Sequence, residues 1–247
     1  MIALVTGAAS GIGAEFCRRL EQDSWRVLKV DRTEIAGDDD AFVIDLTDAD
    51  ATERILAWLD SIGVLPDLWI NNAGIFDFKP VGELSERRID LYVDLHVRSL
   101  TQICRAVGLR MAVRGSGMIL NMSSMSCWMP MPGIAMYSAT KAYIRAFSRA
   151  LRLELKDSGV SVTVACPGGI ATDLFGLPKN LQRFAVRIGV LQTPRRFVRK
   201  AIRQTLRRRK QYINGPLNRL AIVLVGALPD WVRIRVKRLM LDRQIRS

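Results

Sequence analysis

The chain has 247 residues, and 49% of them are hydrophobic, which suits one large α/β domain with a substantial core. The four cysteines form no Cys-x-x-Cys pair, which argues against a disulfide framework and favours a reduced, cytoplasmic protein. The formal net charge of +13 is uneven, because residues 178–247 contain 19 Lys and Arg but 2 Asp and Glu, whereas residues 1–177 are mildly acidic.

Membrane-spanning and exported classes are not expected. The longest apolar run of the basic tail, Leu220–Leu228, has nine residues, too few to cross a bilayer. A strand-like run begins at Ile2 and leads directly into a glycine-rich loop, so no signal peptide is predicted.

Short apolar runs alternate with helical patterns along the chain. We predict strands at 2–6, 25–30, 41–44, 68–71, 117–122 and 160–165, and helices after the glycine loop to about 23 and at 49–61, 85–113 and 135–156. This alternation indicates βαβ units in a mainly parallel sheet. We expect one domain over 1–215, with a lid at about 172–192, and a basic and apolar helical extension over 216–247.

A glycine-rich loop separates the first strand from the first helix. Its spacing lets the backbone approach a pyrophosphate, while the helix N-terminus offers N–H donors. The candidate phosphate-binding residues are Thr6, Gly7, Ser10, Gly11, Ile12 and Gly13. An ordinary tight turn is the alternative, but the position between strand and helix favours a dinucleotide site.

Asp31 closes the second predicted strand. In a dinucleotide-binding fold, an acidic residue at this place accepts hydrogen bonds from the adenosine ribose hydroxyls and repels a 2′-phosphate. The sequence therefore favours NAD over NADP as cofactor. Arg32 keeps NADP open, because its guanidinium can bind a 2′-phosphate or stack on adenine.

Tyr137 and Lys141 are four residues apart on a predicted helix, and Ser124 lies thirteen residues before Tyr137. Positions i and i+4 share a helix face, so an ammonium group can lie beside the phenol. We expect this cation to lower the pKa of Tyr137 from its ordinary value of about 10 toward neutrality. For this pair alone, a surface tyrosine and lysine are the simpler alternative.

Taken together, these motifs resemble those of the short-chain dehydrogenase/reductase family. The shared motifs, in chain order, are the loop Thr6 to Gly13, Asp45-Leu46, Asn71-Asn72-Ala73-Gly74, Ser124, Tyr137 with Lys141, and Pro167-Gly168 followed by Thr172. The resemblance is strong over residues 1–175 and looser to about 215. It implies a doubly wound, Rossmann-like sheet with helices on both faces, and hydride transfer between a nicotinamide cofactor and a carbonyl or alcohol carbon.

The resemblance also implies a role for each motif. Tyr137 would donate or accept the hydroxyl proton, Lys141 would hold the nicotinamide ribose, and Ser124 would bind the substrate oxygen, on which charge grows in the transition state. The other implied cofactor residues are Asp45 and Leu46 at the adenine, Asn72, Ala73 and Gly74 under the adenosine, and Pro167, Gly168, Ile170 and Thr172 on the nicotinamide side. No metal is implied.

One position departs from the family pattern. Where the family usually has an asparagine in the helix after the fourth strand, this sequence has His96, the one histidine of the chain. Our hypothesis is that its imidazole binds a water and completes a proton relay to Lys141. A helix-packing histidine is the alternative.

The predicted substrate is a hydrophobic secondary alcohol or ketone. In this family the loop between the serine and the tyrosine borders the substrate, and methionine and tryptophan side chains give an adaptable apolar wall. The candidate substrate residues are Met125, Trp128 and Met131, with Leu174 and Phe175 of the lid. Packing of the loop onto the core is the alternative for each of them.

The basic tail replaces the strand and loop that end many family members. Peripheral contact with a membrane competes with a solvated or self-associating lid helix as its role. Nucleic-acid binding is not favoured, because few aromatic side chains interleave with the charges. The family implies a homodimer or homotetramer. The alternative to an enzyme is a catalytically silent nucleotide-binding scaffold, against which the intact Ser124, Tyr137 and Lys141 argue.

Overall fold

The computed structural model describes residues 1–171, 180, 183, 186–187 and 191–235. Its strands are β1 (Ile2–Thr6), β2 (Arg26–Asp31), β3 (Ala41–Val43), β4 (Leu68–Asn71), β5 (Gly117–Met122), β6 (Val160–Ala165) and β7 (Gln211–Tyr212). Its helices are α1 (Gly11–Gln22), α2 (Ala51–Ser61), α3 (Glu86–Val93), α4 (Leu100–Arg114), α5 (Ala135–Glu154), α6 (Pro194–Leu206) and α7 (Pro216–Gly226). A π-helical segment, Asp94–Ser99, joins α3 to α4, and short 3-10 turns lie at Val81–Glu83, Met125–Trp128 and Lys156–Ser158.

Within these ranges, seven strands form one parallel sheet in the order β3-β2-β1-β4-β5-β6-β7. Leu4 of β1 is in register with Leu28 of β2 on one side and with Trp69 of β4 on the other. The direction of winding reverses between β1 and β4, and a crevice opens at the carboxyl ends of these strands. The predicted doubly wound fold is confirmed.

Alternate side chains of the strands build a core on each face of the sheet. Leu4 and Trp69 pack among side chains of α2, α4 and α5, whereas Val5 and Ile70 pack among those of α1 and α6. Both faces are therefore covered, as a parallel sheet requires.

Two predictions about the elements need correction. The helix predicted over 85–113 contains the π-helical segment, because an added residue in one turn does not interrupt apolar periodicity. The terminal strand that the tail was expected to replace is present as β7, which pairs with Val164 and Ala165 of β6. Arg207–Lys210 form the turn from α6 into β7.

The chain after β7 is also helical, in α7 and again over 230–235. Within the described part of the chain, no helix is both long enough and apolar enough to cross a bilayer.

Candidate active site

The glycine loop is folded tightly against the end of β4. A Cβ on Gly7, which has φ +66°, would lie 2.9 Å from Cα of Ala73, and one on Gly13 would lie 1.7 Å from the carbonyl oxygen of Gly7. Nδ2 of Asn72 donates to the carbonyls of Thr6 and Gly7 at 3.0 and 3.2 Å. The Thr6 hydroxyl accepts from the N–H groups of Asn72 and Ala73 at 3.0 and 3.1 Å. These contacts fix the loop at the N-terminus of α1.

A cavity of about 550 Å³ runs from this loop to the carboxyl end of β5. Most residues proposed from the sequence line it, namely Gly7, Ser10, Gly11, Ile12, Asp31, Arg32, Asp45, Leu46, Asn72, Ala73, Gly74, Ser124, Tyr137, Lys141, Pro167, Gly168 and Ile170. Thr6 and Gly13 are outside the lining and shape the loop instead. Thr172, Leu174 and Phe175 lie outside the described residues.

The sequence analysis missed part of the lining. The additional residues are Ala9, Val30, Thr33, Ile44, Thr47, Ile75, Leu91, Leu95, Met122 and Ser123. Leu91 and Leu95 have the i, i+4 spacing of one helix face, and Met122 and Ser123 directly precede Ser124, so the pattern contained a usable signal. Apolar side chains thus line much of the pocket.

Asp31 connects the end of β2 to the glycine loop. Its Oδ2 accepts from the N–H of Ala9 at 2.9 Å, and its Oδ1 accepts from the N–H of Thr33 at 3.0 Å. Each carboxylate oxygen can accept a second hydrogen bond. The carboxylate is therefore held in place with capacity left for ribose hydroxyls.

The buried Tyr137 and Lys141 differ electrostatically from the expectation. Burial raises the pKa of Tyr137 to about 12, although a hydrogen bond from Ser124 acts in the opposite direction. Burial also lowers the pKa of Lys141 to about 8. Nζ of Lys141 lies 5.6 Å from the Tyr137 ring centroid and donates to the carbonyl of Met122 at 3.0 Å. The prediction that Lys141 brings the pKa of Tyr137 toward neutrality is wrong, because burial of the phenol dominates.

His96 lies in the π-helical segment, behind the pocket wall. Its Nε2 accepts from the N–H of Ile75 at 3.1 Å, and its Nδ1 is 3.0 Å from Oγ1 of Thr140. Burial and then the charge of Lys141 hold the pKa of His96 well below its ordinary value, so the ring is neutral. Both ring nitrogens have protein partners, which link the segment after β4 to α5. The relay hypothesis remains a prediction.

The proposed substrate residues of the Ser124–Tyr137 loop do not line the cavity. Trp128 packs against the core, and its ring lies under the guanidinium of Arg145, 4.4 Å from the ring centroid. Met125 and Met131 are partly buried outside the lining. The loop therefore packs onto α5, which agrees with the packing alternative given for Trp128. Substrate roles for Met125, Trp128 and Met131 stay predictions.

Buried amides connect the strands beneath the site. Nδ2 of Asn71 donates to Oδ1 of Asn121 at 2.8 Å, and Nδ2 of Asn121 donates to Oγ of Ser148 at 2.9 Å. Oδ1 of Asn71 accepts from the indole N–H of Trp69 at 2.8 Å. This chain of hydrogen bonds ties β4 and β5 to α5, which carries Tyr137 and Lys141.

A pair of cysteines lies beside Ser124. A hydrogen bond from Cys166 lowers the pKa of Cys127, assisted by Ser123 and the charge of Arg145. The same pairing raises the pKa of Cys166. Cys127 is partly exposed, whereas Cys166 is buried.

The fold and this site define a dinucleotide-binding α/β protein with a Ser-Tyr-Lys centre at one end of its cofactor pocket. The sequence model described as "short chain dehydrogenase" matches residues 1–180, and the chain belongs to this family.

Individual relatives agree with that assignment. "Probable oxidoreductase EphD" of Mycobacterium tuberculosis is 32% identical over 183 residues, a match that covers 69% of this chain but 31% of the relative, so the chain spans about a third of that protein's length. The closed form of a serine dehydrogenase complexed with NADP+ is 28% identical, with a TM-score of 0.76 and coverage of 88% of this chain and 95% of that one. A "bulky-bulky ketone specific alcohol dehydrogenase" from Comamonas testosteroni is 25% identical, with a TM-score of 0.74 and coverage of 92% and 94%. Other structures of this fold hold NADH or NADPH.

Proposed function

We propose that the protein is an NAD(P)-dependent oxidoreductase that interconverts a hydrophobic secondary alcohol and its ketone. The observation that carries this proposal is that Ser124, Tyr137 and Lys141 line the same cavity as the glycine loop and Asp31. Family membership supports a nicotinamide cofactor, which supplies or accepts a hydride when bound.

The cavity fits such a cofactor. Its volume of about 550 Å³ lies within the usual range of ligand pockets, roughly 300–1,000 Å³. The N-terminus of α1 would face the pyrophosphate. The anchored carboxylate of Asp31 would accept hydrogen bonds from the adenosine ribose hydroxyls. We infer a preference for NAD, because a 2′-phosphate would meet the charge of Asp31. Arg32, also in the lining, is the residue that would favour NADP.

Tyr137 would act on the substrate oxygen. With its pKa raised to about 12, the phenol keeps its proton at neutral pH and can donate it to a carbonyl oxygen during reduction. Ser124 would donate a second hydrogen bond to the charge that develops on this oxygen. The ammonium of Lys141, 5.6 Å from the ring centroid, would stabilise the phenolate that remains.

The substrate class rests on the apolar part of the pocket. Ile75, Leu91, Leu95 and Met122 line the cavity that Tyr137 enters, and Phe76 contacts the Tyr137 ring edge-on at 4.9 Å between centroids. These side chains suit a hydrophobic ketone, and a related fold is described as specific for bulky ketones. We also propose a homodimer, because α4 exposes Leu109 and Val113 and α5 exposes Leu153.

Calorimetric titration with NADH and NADPH tests the cofactor site in the wild type, Asp31→Ala and the exposed control Asp48→Ala. We expect tighter binding of NADH, weakened in Asp31→Ala and unchanged in Asp48→Ala. Tighter NADPH binding would overturn the preference for NAD, and failure to bind either would overturn the cofactor site itself.

Turnover of a panel of apolar ketones then tests the reaction. Tyr137→Phe should lower kcat by roughly 10²–10⁴-fold without weakening NADH binding. Cofactor binding without turnover of any ketone or alcohol in the panel would instead support a silent nucleotide-binding scaffold.

A further inference from the structure

The C-terminal helices expose an unusual number of apolar side chains. No residue of α7 is buried. Leu217, Leu220, Val223 and Leu224 of α7, with Trp231 and Ile234 of the helical stretch 230–235, are 49–68% exposed. We call these six residues the apolar ridge. Single exposed apolar residues are ordinary, but six of them on two consecutive helices indicate an interaction surface.

The ridge lies beside the candidate active site. The side chain of Asn218, on α7, occupies the space next to Gly168, where a Cβ would lie 2.5 Å from it. At the other end of α7, a Cβ on Gly226 would lie 3.6 Å from the carbonyl oxygen of Trp128. Gly168 lines the cofactor cavity, and Trp128 ends the turn that begins after Ser124. Whatever covers the ridge therefore lies next to this end of the pocket.

Cationic side chains accompany the ridge. Arg219 and Arg235 are exposed, and Asp230 is the one acidic residue of 216–235. Arg233 instead donates to the carbonyl of Gly226 at 2.9 Å, which joins the stretch 230–235 to the end of α7. Arg196 of α6 lies near Arg219, because the charges of both arginines act on Tyr212. Burial raises the pKa of Tyr212 to about 12, and the two arginines oppose this shift. Exposed apolar residues among arginines are the pattern of helices that lie in the headgroup region of anionic bilayers.

We propose that the apolar ridge and its arginines bind the surface of an anionic lipid membrane. The 11 residues of α7 are too few to span a bilayer, so the contact is peripheral. Charge favours this occupant over a second copy of the chain at the ridge, because two ridges in contact would bring their arginines together, whereas an anionic surface neutralises them. If the proposed function holds, docking places the pocket at the lipid surface, where a membrane-dissolved ketone or alcohol can enter without crossing water.

Vesicle flotation tests the proposal with the full chain. The probes are phosphatidylcholine vesicles with and without about 30% phosphatidylglycerol at low ionic strength. The variant Leu220→Glu/Leu224→Glu places two charges on the ridge. Leu206→Glu/Ile62→Glu, at exposed positions at the ends of α6 and α2, is the charge-matched control.

We expect the wild type and the control to bind the anionic vesicles, and the ridge variant to bind at least about 10-fold more weakly. Neutral vesicles should bind the wild type weakly, and about 0.5 M NaCl should release much of the bound protein. Absence of wild-type binding to anionic vesicles, or equal binding of the ridge variant, overturns the proposal. Ridge-dependent self-association without vesicle binding also overturns it, in favour of a second copy.

The same preparations separate this proposal from the proposed function. NADH binding and turnover of a water-soluble ketone are measured without vesicles, where the ridge variant should equal the wild type. Vesicle binding without turnover in any variant would leave the membrane contact standing and overturn the enzyme assignment. Turnover without vesicle binding would support the enzyme assignment and overturn the membrane contact.

Discussion

Lys141 is anchored to the sheet through the carbonyl of Met122, to which its Nζ donates at 3.0 Å. This bond holds the ammonium at the end of β5, while the Tyr137 ring centroid lies 5.6 Å away. The main electrostatic influence on both side chains is burial, which disfavours their charged forms. The unfolding free energy of the protein should therefore rise when the buried charge is removed.

Lys141→Met should stabilise the apoprotein at neutral pH. Because burial lowers the pKa of Lys141 from 10.5 to about 8, the unfolded chain binds more protons between these values. The destabilisation is complete below about pH 8 and disappears as the pH rises to 10.5. We expect the difference in unfolding free energy between variant and wild type to shrink by about 3 kcal/mol across this window.

Urea unfolding between pH 7 and 10.5 measures this difference, and groups other than Lys141 cancel in the comparison. Lys156→Met, which removes an exposed lysine after α5, is the matched control. A pH-independent difference for Lys141→Met would contradict the assignment of a lowered pKa.

His96 should act by positioning rather than by proton transfer. His96→Ala removes the acceptor of the Ile75 N–H and the partner of Thr140, so we expect kcat/KM to fall about 10-fold with an unchanged pH profile. His96→Asn, which retains an acceptor, should restore part of the activity. A displaced pH profile in His96→Ala would support the relay. Unchanged turnover would contradict both the positioning role and the relay.

Asn121 should be important for stability without contacting the substrate. Asn121→Ala leaves Asn71 and Ser148 without their mutual partner in a buried site, and we expect a loss of about 2–4 kcal/mol in unfolding free energy. Ser148→Ala and the double variant complete a cycle, whose coupling should be about 0.5–3 kcal/mol. Additive losses would show that the three groups do not act as one network.

Cys127 should be the first thiol to react with iodoacetamide. The hydrogen bond from Cys166 lowers its pKa and its side chain is partly exposed, whereas burial raises the pKa values of Cys17 and Cys104 to about 12. Peptide mass spectrometry after brief labelling at neutral pH identifies the site, and Cys127→Ser should abolish the early product. Earlier labelling of Cys17 or Cys104 would contradict this order.

The chain's local patterns predicted every strand of the described sheet except β7, and most of the pocket lining. The glycine loop, Asp31 and Ser124 lie at strand ends, where short-range pattern and position coincide. The raised pKa of Tyr137 was not predictable, because it comes from burial of the phenol by residues that are distant along the chain. The packing of Trp128 was not predictable for a similar reason, since it depends on Arg145 of α5.

The π-helical segment and β7 show a second limit. One added residue in a helical turn leaves the apolar pattern nearly intact, and a strand of two residues is too short to show alternation. Both elements are defined by tertiary contacts, of His96 with Ile75 in one case and of Tyr212 with Ala165 in the other.

Strand β1 lies between β2 and β4, although it precedes both along the chain. During synthesis at about 5–20 residues per second, roughly 3–13 s separate the appearance of β1 from that of β4. A two-stranded ribbon of β1 and β2 is marginal in water, so for this interval the apolar residues Ala3–Val5 keep one unpaired strand edge. Helices form in microseconds or less, so α1 can form early and cover one face of β1. The second edge of β1 stays unpaired until β4 has been synthesised. This is the period in which chaperones can compete with folding for the growing chain.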